Sequence, residues 1–416
     1  MRPSFLDHIS WRMAEVYGSV TDRIMINLAK YFPFIKSADQ IQSAMKFLTE
    51  KLEQMGSVIS ETIRIIVEGL SGADEALGSV LEETVSETMK TEDRKYKRAV
   101  KKGAIPKTEI PEPDPRGSKA YQDNYRETAR KLNRVSFAML ESTEAAYRST
   151  VADIAAKIAR TQDILDTAAG DTISGVTTWN RAMQDAVRKM VDNGLTGFVD
   201  HAGHKWSPEA YAAMVVRTEM FKASREAVWE RAEQNGNDIY QVSSHNGARP
   251  LCYPWQGKLI SRTNYARDVQ DLHGNTVHVY AQSETTYGQP AGLFGINCKH
   301  YPMTFIPGFS SLKGEPQPPE ENDTAYAESQ QQRFLERRLR EEKRDLEVLK
   351  AQGAGADLIR EQRQRILAAS NDITVFCEQT GRARDRARET APVIATWPDG
   401  EGGTVTRFKG DYIPAP

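Results

Sequence analysis

Four side chains in one glycine- and proline-rich stretch have types that could do chemistry: His245, Cys252, Cys298 and His300. Two thiols and two imidazoles form a Cys₂His₂ donor set, a common one for structural zinc. Their spacing is loose. Cys298-Lys299-His300 is the one close pair, Cys252 lies far upstream, and zinc sites usually show close pairs such as C-x₂₋₄-C. On the residues alone, the first reading is two small buried cysteines with hydrogen-bonded histidines. A structural zinc on Cys252, Cys298, His300 and His245 is the second, in a module that is poor in apolar residues and needs a staple. A Cys252–Cys298 disulfide comes third, because a reducing compartment disfavours it. A nucleophilic Cys–His pair would need an orienting third group and an oxyanion hole, and neither stands at a recognisable spacing. No phosphate-binding glycine loop, HExxH, GxSxG or kinase set occurs. The chain therefore reads as a non-enzyme with no catalytic residues, no small-molecule substrate, and no cofactor beyond that zinc.

Three further stretches carry polar side chains that bear on the same module. Arg217-Thr218-Glu219 falls mid-helix. It is either an exposed polar face with ordinary helical ion pairs, or it lets Arg217 reach into the loops with a planar fork that fixes carbonyls. Trp255-Gln256-Gly257-Lys258 reads as an aromatic anchor followed by a turn. His201-Ala202-Gly203-His204 has no cysteine or carboxylate cluster beside it and reads as a loop.

The elements that must position these groups follow from periodicity. Leu6, Ile9, Met13, Val16, Val20 and Ile24 recur at three and four, as do Ile41, Met45, Leu48, Leu52, Met55 and Ile59. A helical region is expected over 1–104, and a proline-rich linker over 105–118, where four prolines in ten residues forbid helix and central strand. Helix returns to about residue 235, with Ser207-Pro208-Glu209 as a capped start and Asn235-Gly236-Asn237 as a stop. From 238 to 310 glycine and proline dominate and short strands alternate, as at Ile239–Ser243, Thr276–Tyr280 and Met303–Ile306. A second linker is expected over 311–325, a helical hairpin over 326–395 and an irregular Gly/Thr/Pro tail over 396–416. Leu335, Leu339, Leu346 and Leu349 face Ile359, Ile366 and Ile373 across that hairpin. The class is α+β: mostly α-helical, with a small loop-rich α/β module between helical N- and C-terminal regions.

Bulk composition narrows the partners. The 416 residues carry a net charge of −2, so no global field selects nucleic acid or a membrane. Basic runs are local, at Lys90–Lys102 and through Arg337, Arg338, Arg340, Lys343, Arg344 and Arg382–Arg388. Three cysteines make no disulfide scaffold. No apolar run approaches the roughly 20 residues needed to span a bilayer. The N-terminus does not read as a secretory signal. A cytoplasmic origin is expected.

In combination these motifs resemble the phage minor capsid protein 2 family, related to the Mu F-like and SPP1-type head morphogenesis proteins. The carriers are Val216-Arg217-Thr218-Glu219, Ser244-His245-Asn246-Gly247-Ala248-Arg249-Pro250, Trp255-Gln256-Gly257-Lys258, and Gly295-Ile296-Asn297-Cys298-Lys299-His300 followed by Pro302. The opening helix and the basic C-terminal hairpin are similar as well, so the resemblance covers most of the chain. One departure is Cys252, where related sequences have a histidine. Such an exchange suits a metal ligand better than an essential nucleophile. The resemblance implies a low-copy structural protein of a tailed-phage head, at or near the portal vertex, in procapsid assembly or genome packaging and ejection. It implies portal, major capsid or scaffolding protein as partners, contact with packaged DNA, and a place in the virion after assembly in the host cytoplasm. The alternatives are a phage-delivered Cys/His-dependent enzyme or toxin-like protein, and a non-specific DNA-binding protein.

Overall fold

The apolar rhythm of the first hundred residues is realised as four helices in the computed structural model. It describes residues 3–106, 112–165, 172–200, 203–386, 388–389, 394–398 and 404–408. These helices are α1 (Pro3–Lys30), α2 (Ala44–Glu53), α3 (Met55–Gly69) and α4 (Ala73–Lys101). The periodicity predicts one helix from about Ala38 to Val80, but the chain breaks it at Gln54, between α2 and α3, and again over 70–72, before α4. Ser43 caps α2, its hydroxyl accepting from Lys46 N at 3.3 Å. Gly72 takes φ +79° before α4, a conformation that glycine adopts without a Cβ penalty.

Of the proline-rich stretch, residues 107–111 lie outside the described residues, and the flanks are turns. Three helices follow: α5 (Lys119–Leu165), α6 (Thr172–Asn193) and α7 (Pro208–Gln234). The start of α7 uses Ser207 as cap, accepting from Ala210 N at 3.3 Å, with Pro208 first and Glu209 in the first turn. Before it, β1 (Phe198–Val199) and β2 (Lys205–Trp206) form a minimal antiparallel pair. Asp200 accepts from His204 N at 2.8 Å in that turn, while His201 and Ala202 lie outside the described residues.

The loop-rich module is built on a five-stranded sheet of order β5-β6-β4-β3-β7. Its strands are β3 (Ile239–Val242), β4 (Leu259–Ser261), β5 (Arg267–Gln270), β6 (Thr276–Ala281) and β7 (Pro302–Thr304). β4 and β6 run parallel and the other pairs antiparallel. Strand alternation sorts the apolar residues onto two faces. Tyr240, Val242 and Ile260 point to a core with Cys252, Leu293, Phe294 and Cys298. Ile239, Leu259 and Val279 point the other way, onto Phe305.

Beyond it come α8 (Pro319–Ala351) and α9 (Ala356–Thr380). Leu335 and Leu339 pack on Ala369, Ile373 and Cys377, with Ile366 against them. The expected seam is only partly apolar at its turn end, where Leu346 and Leu349 are half-buried and Gln362 is buried, donating to Glu342 O at 2.9 Å. Glycine and threonine suggest an irregular tail, yet β8 (Ile394–Pro398) pairs with β9 (Thr404–Phe408). Thr-Val-Thr-Arg-Phe is a strand-forming run.

The chain forms two compact units. The first comprises residues 1–13, 72–132 and 213–331, and holds α4, the sheet and most of α7. Within it, α4 and α7 are joined by a buried ion pair, Arg231–Asp93 at 3.0 Å, and by Thr88 and Ser224 hydroxyls 3.0 Å apart. The second comprises residues 14–71, 133–212 and 332–416. Its core includes Ile24, Met25, Leu28, Phe32, Tyr147 and Ile154. There Arg344 is ion-paired with buried Asp22, and Tyr147 Oη donates to Lys51 O at 2.9 Å.

Candidate metal centre

Two loops of the first unit bring the singled-out groups together. The first leaves β3 and turns through Arg249, whose carbonyl accepts from Cys252 N at 2.8 Å and Tyr253 N at 2.9 Å, so that Cys252 points into the sheet's core. The second runs from Gln289 to His300 and is wound tightly. Ile296 N donates to Pro290 O at 2.8 Å and Cys298 N to Gly295 O at 3.0 Å. A Cβ on Gly295 would stand 2.5 Å from the carbonyl oxygens of Gln289 and Pro290, so only glycine fits there.

Cys252, Cys298 and His300 are all buried, and their donor atoms lie within 4.8 Å of one another. The two sulfurs are 3.9 Å apart, and Cys298 Sγ is 3.3 Å from His300 Nδ1. Among the described residues this is the one group of three or more metal-ligating side chains whose donors converge so closely. His245 adjoins it, its ring centroid 4.3 Å from that of His300. Asn246 O, which can only accept, lies 3.1 Å from His245 Nδ1; the proton therefore sits on Nδ1 and the lone pair on Nε2. The Nε2 atoms of both histidines are buried without a hydrogen-bond partner.

The electrostatics follow from this crowding. Burial, then the neighbouring His300, lowers His245 to about 4, so its ring is neutral at physiological pH. The two thiols act as a pair. The hydrogen bond from Cys252 lowers Cys298, with His300 adding to the effect, while the same bond and burial raise Cys252. Phe294 N donates to Cys298 Sγ at 3.2 Å, and the Arg249 guanidinium lies 3.9 Å from Cys252 Sγ.

The other singled-out residues serve as framing. Gln256 is buried and accepts from His245 N at 2.6 Å, fixing that segment. Trp255 packs on the core containing both cysteines and meets Tyr280 edge-on. Gly257 takes φ +74° and donates to Val242 O at 3.0 Å, while the exposed Lys258 lies over the Tyr280 ring. Arg249 donates to Ile296 O at 2.8 Å and Gly292 O at 3.3 Å, tying the first loop to the second.

The Arg217-Thr218-Glu219 stretch departs from the exposed-face reading. Glu219 is 3% exposed and pairs with Lys131 of α5 at 2.7 Å. Thr218 Oγ1 accepts from Asn297 N at 3.3 Å, anchoring the second loop to α7. Arg217 is half-buried. From the same helix Arg225 donates to Phe294 O at 3.2 Å and stacks between Trp229 and Phe294. Sequence reasoning passed over Arg225, although it lies two turns beyond Arg217 on the same face of the helix.

A cleft of about 520 Å³, lined in part by Glu92, Arg94, Lys95, Arg98 and Lys313, shares no lining residue with this cluster. Among the described residues no helix is long and apolar enough to cross a membrane.

Comparison with known proteins gives a family. A family model described as "Phage minor capsid protein 2" matches residues 1–378. A protein of Lactococcus phage LL-H, named "Structural protein", is 28% identical over 180 residues, which is 43% of this chain and 47% of that protein. The match thus spans about half the length of that relative. No solved structure is matched.

Proposed function

From the premise that this chain belongs to the phage minor capsid protein 2 family, we propose that it is a low-copy structural protein of a tailed-phage head, acting at or near the portal vertex. The observation that carries the reading is the family match over residues 1–378. The virion is its destination, and other head proteins are its partners: the portal protein first, then the major capsid or scaffolding protein. The helical units suit such docking. Met45 and Leu52 on α2, and Ile63 and Val67 on α3, are exposed apolar side chains at helical spacing. The role is in assembling the procapsid or in moving the genome into and out of it.

The geometry supports a framework role for Cys252 and Cys298 rather than an enzymatic one. Both thiols and His300 are buried, the first at 1% exposure, so an external substrate has no route to the sulfur without unfolding of the loops. A catalytic thiolate needs access as well as a lowered pKa.

The test is quantitative mass spectrometry of purified procapsids and virions, with affinity capture on immobilised portal protein. The expected result is a chain-to-portal ratio near unity, far below that of the major capsid protein, and retention on portal. Absence from both particles would overturn the reading.

A further inference from the structure

Ligands bonded tetrahedrally to zinc at about 2.3 Å for sulfur and about 2.0 Å for nitrogen stand about 3.8 Å apart for two sulfurs, and about 3.5 Å for sulfur and nitrogen. The corresponding separations here are 3.9 Å for Cys252 Sγ to Cys298 Sγ and 3.3 Å for Cys298 Sγ to His300 Nδ1. We infer that Cys252, Cys298 and His300, with His245 drawn in as the fourth ligand, form a structural zinc site that clamps the two loops of the sheet module together.

Four features carry the argument. The donor set is two thiols and an imidazole in a buried cluster, a soft set that selects zinc over magnesium or calcium. A fourth ligand stands beside the converging three: the Asn246 carbonyl holds the Nδ1 proton of His245, its Nε2 is buried without a partner, and its ring lies 4.3 Å from that of His300, so a shift of the ring would bring the nitrogen to the metal. Buried polar atoms without partners are costly, and a metal bond to that nitrogen removes the cost. The surroundings are those of a bound thiolate, since Phe294 N donates to Cys298 Sγ and the Arg249 guanidinium faces Cys252 Sγ. Two thiolates balance the charge of one divalent ion. The site also has structural work to do. It would join loops 46 residues apart in a module whose strands are three to six residues long. With His245 as the fourth ligand, all four coordination positions would be filled by protein, as in structural rather than catalytic zinc sites.

The test uses the full chain, purified under reducing conditions without added metal. Elemental analysis is expected to give about one zinc per chain. Cobalt exchanged into the site should show the d–d bands of a tetrahedral ion together with thiolate charge transfer. C252S and C298S should each lose the metal, while C377S, outside the cluster, should retain it. As a check independent of whether the serine variants fold, C252H replaces a thiolate by an imidazole, so metal should be kept and charge transfer reduced by about half. H245Q should release metal to a chelator at least about tenfold faster than the parent chain.

The inference is overturned if the folded parent chain holds less than about a tenth of an equivalent and takes up no cobalt. It is overturned equally by a Cys252–Cys298 disulfide in the native protein, or by a folded C252H chain that binds no metal. None of these readouts depends on the head role, so the two readings can fail separately.

Discussion

Asp345 is a side chain whose environment sets a measurable property. It lies on α8, and its carboxyl is pushed up to about 7, first by burial and then by Asp192 of α6 and Glu342 of its own helix, with Arg188 and Arg344 opposing. Glu361 and Arg365 of α9 line the same small cavity. A carboxyl raised on folding binds its proton more tightly in the native state. Its contribution is therefore complete below about pH 4, where the unfolded chain titrates, and is lost as the pH rises through about 7. A rise of this size is worth roughly 4 kcal/mol at full burial, and solvent screening of a half-buried group reduces that to about 2 kcal/mol. Asp345→Asn should accordingly raise the urea midpoint at pH 8 and leave it nearly unchanged at pH 4. Equal gains at both would sink the assignment. At this same scale the cysteine–histidine cluster was half legible. His245, Cys252, Cys298 and His300 announce themselves by type, and Gly295 by its place beside them. What sequence could not give was burial. Glu219 and Arg225 look like ordinary charges on a helix, but α7 is enclosed on several sides, with Val215, Val216, Met220, Ala223 and Ala227 all buried. Its polar residues are thus spent on partners inside the unit rather than on a solvent face.

The start of α8 shows how one element is fastened to another. Asn322 is 1% exposed, and its amide grips the Ala248 backbone from both sides: Ala248 N donates to Asn322 Oδ1 at 2.7 Å, and Asn322 Nδ2 donates to Ala248 O at 2.9 Å. Ala248 belongs to the loop that leads to Cys252. Asn322→Ala leaves both backbone groups buried without partners, at about 1–3 kcal/mol. Amide hydrogen exchange at Ala248 should accelerate by one to two orders of magnitude while α9 exchanges as before. Asn322→Asp keeps the acceptor but loses the donor, so it should fall between. Exchange at Ala248 indifferent to both changes would refute the clamp. Composition hid this element end. Pro316, Pro318 and Pro319 together suggest a linker reaching to residue 325, yet Pro319 is the first residue of the helix, with Glu320 and Glu321 in its first turn. Proline is a breaker only from the interior; at the first position its missing N–H costs nothing. β4 and β5 were hidden for another reason. The first is three residues long and the second, Arg267-Asp268-Val269-Gln270, holds a single apolar residue, so neither shows a strand signal of its own. Their place is fixed by pairing to β6, which does. The mostly helical class, by contrast, was legible throughout, because helical periodicity repeats over many turns.

Across the whole chain, charge decides between a head protein that docks on protein and one that coats DNA. The C-terminal helices carry many arginines, which suggested contact with packaged genome. In the second unit those side chains are drawn into local pairs. Arg338 meets Asp372 at 2.9 Å, Arg360 meets Asp357 at 3.0 Å, Arg365 meets Glu361 at 2.7 Å, and Arg384 meets Glu389 at 2.6 Å. Arg344 is enclosed between Asp22 and Glu209, and Lys343 donates to Glu389 O at 2.7 Å. Each arginine–carboxylate pair weakens the field that would attract a phosphate, in keeping with the chain's net charge of −2. Exposed pairs of this kind are individually weak, but taking an arginine from one of them leaves a carboxylate facing the phosphates. The expected outcome is that duplex DNA is not shifted by micromolar protein at about 100 mM salt, and that any binding at lower salt shows a slope corresponding to only one or two phosphates. A dissociation constant below about 1 μM, with a slope like that of proteins making about six or more phosphate contacts, would transfer the C-terminal helices from protein docking to genome binding.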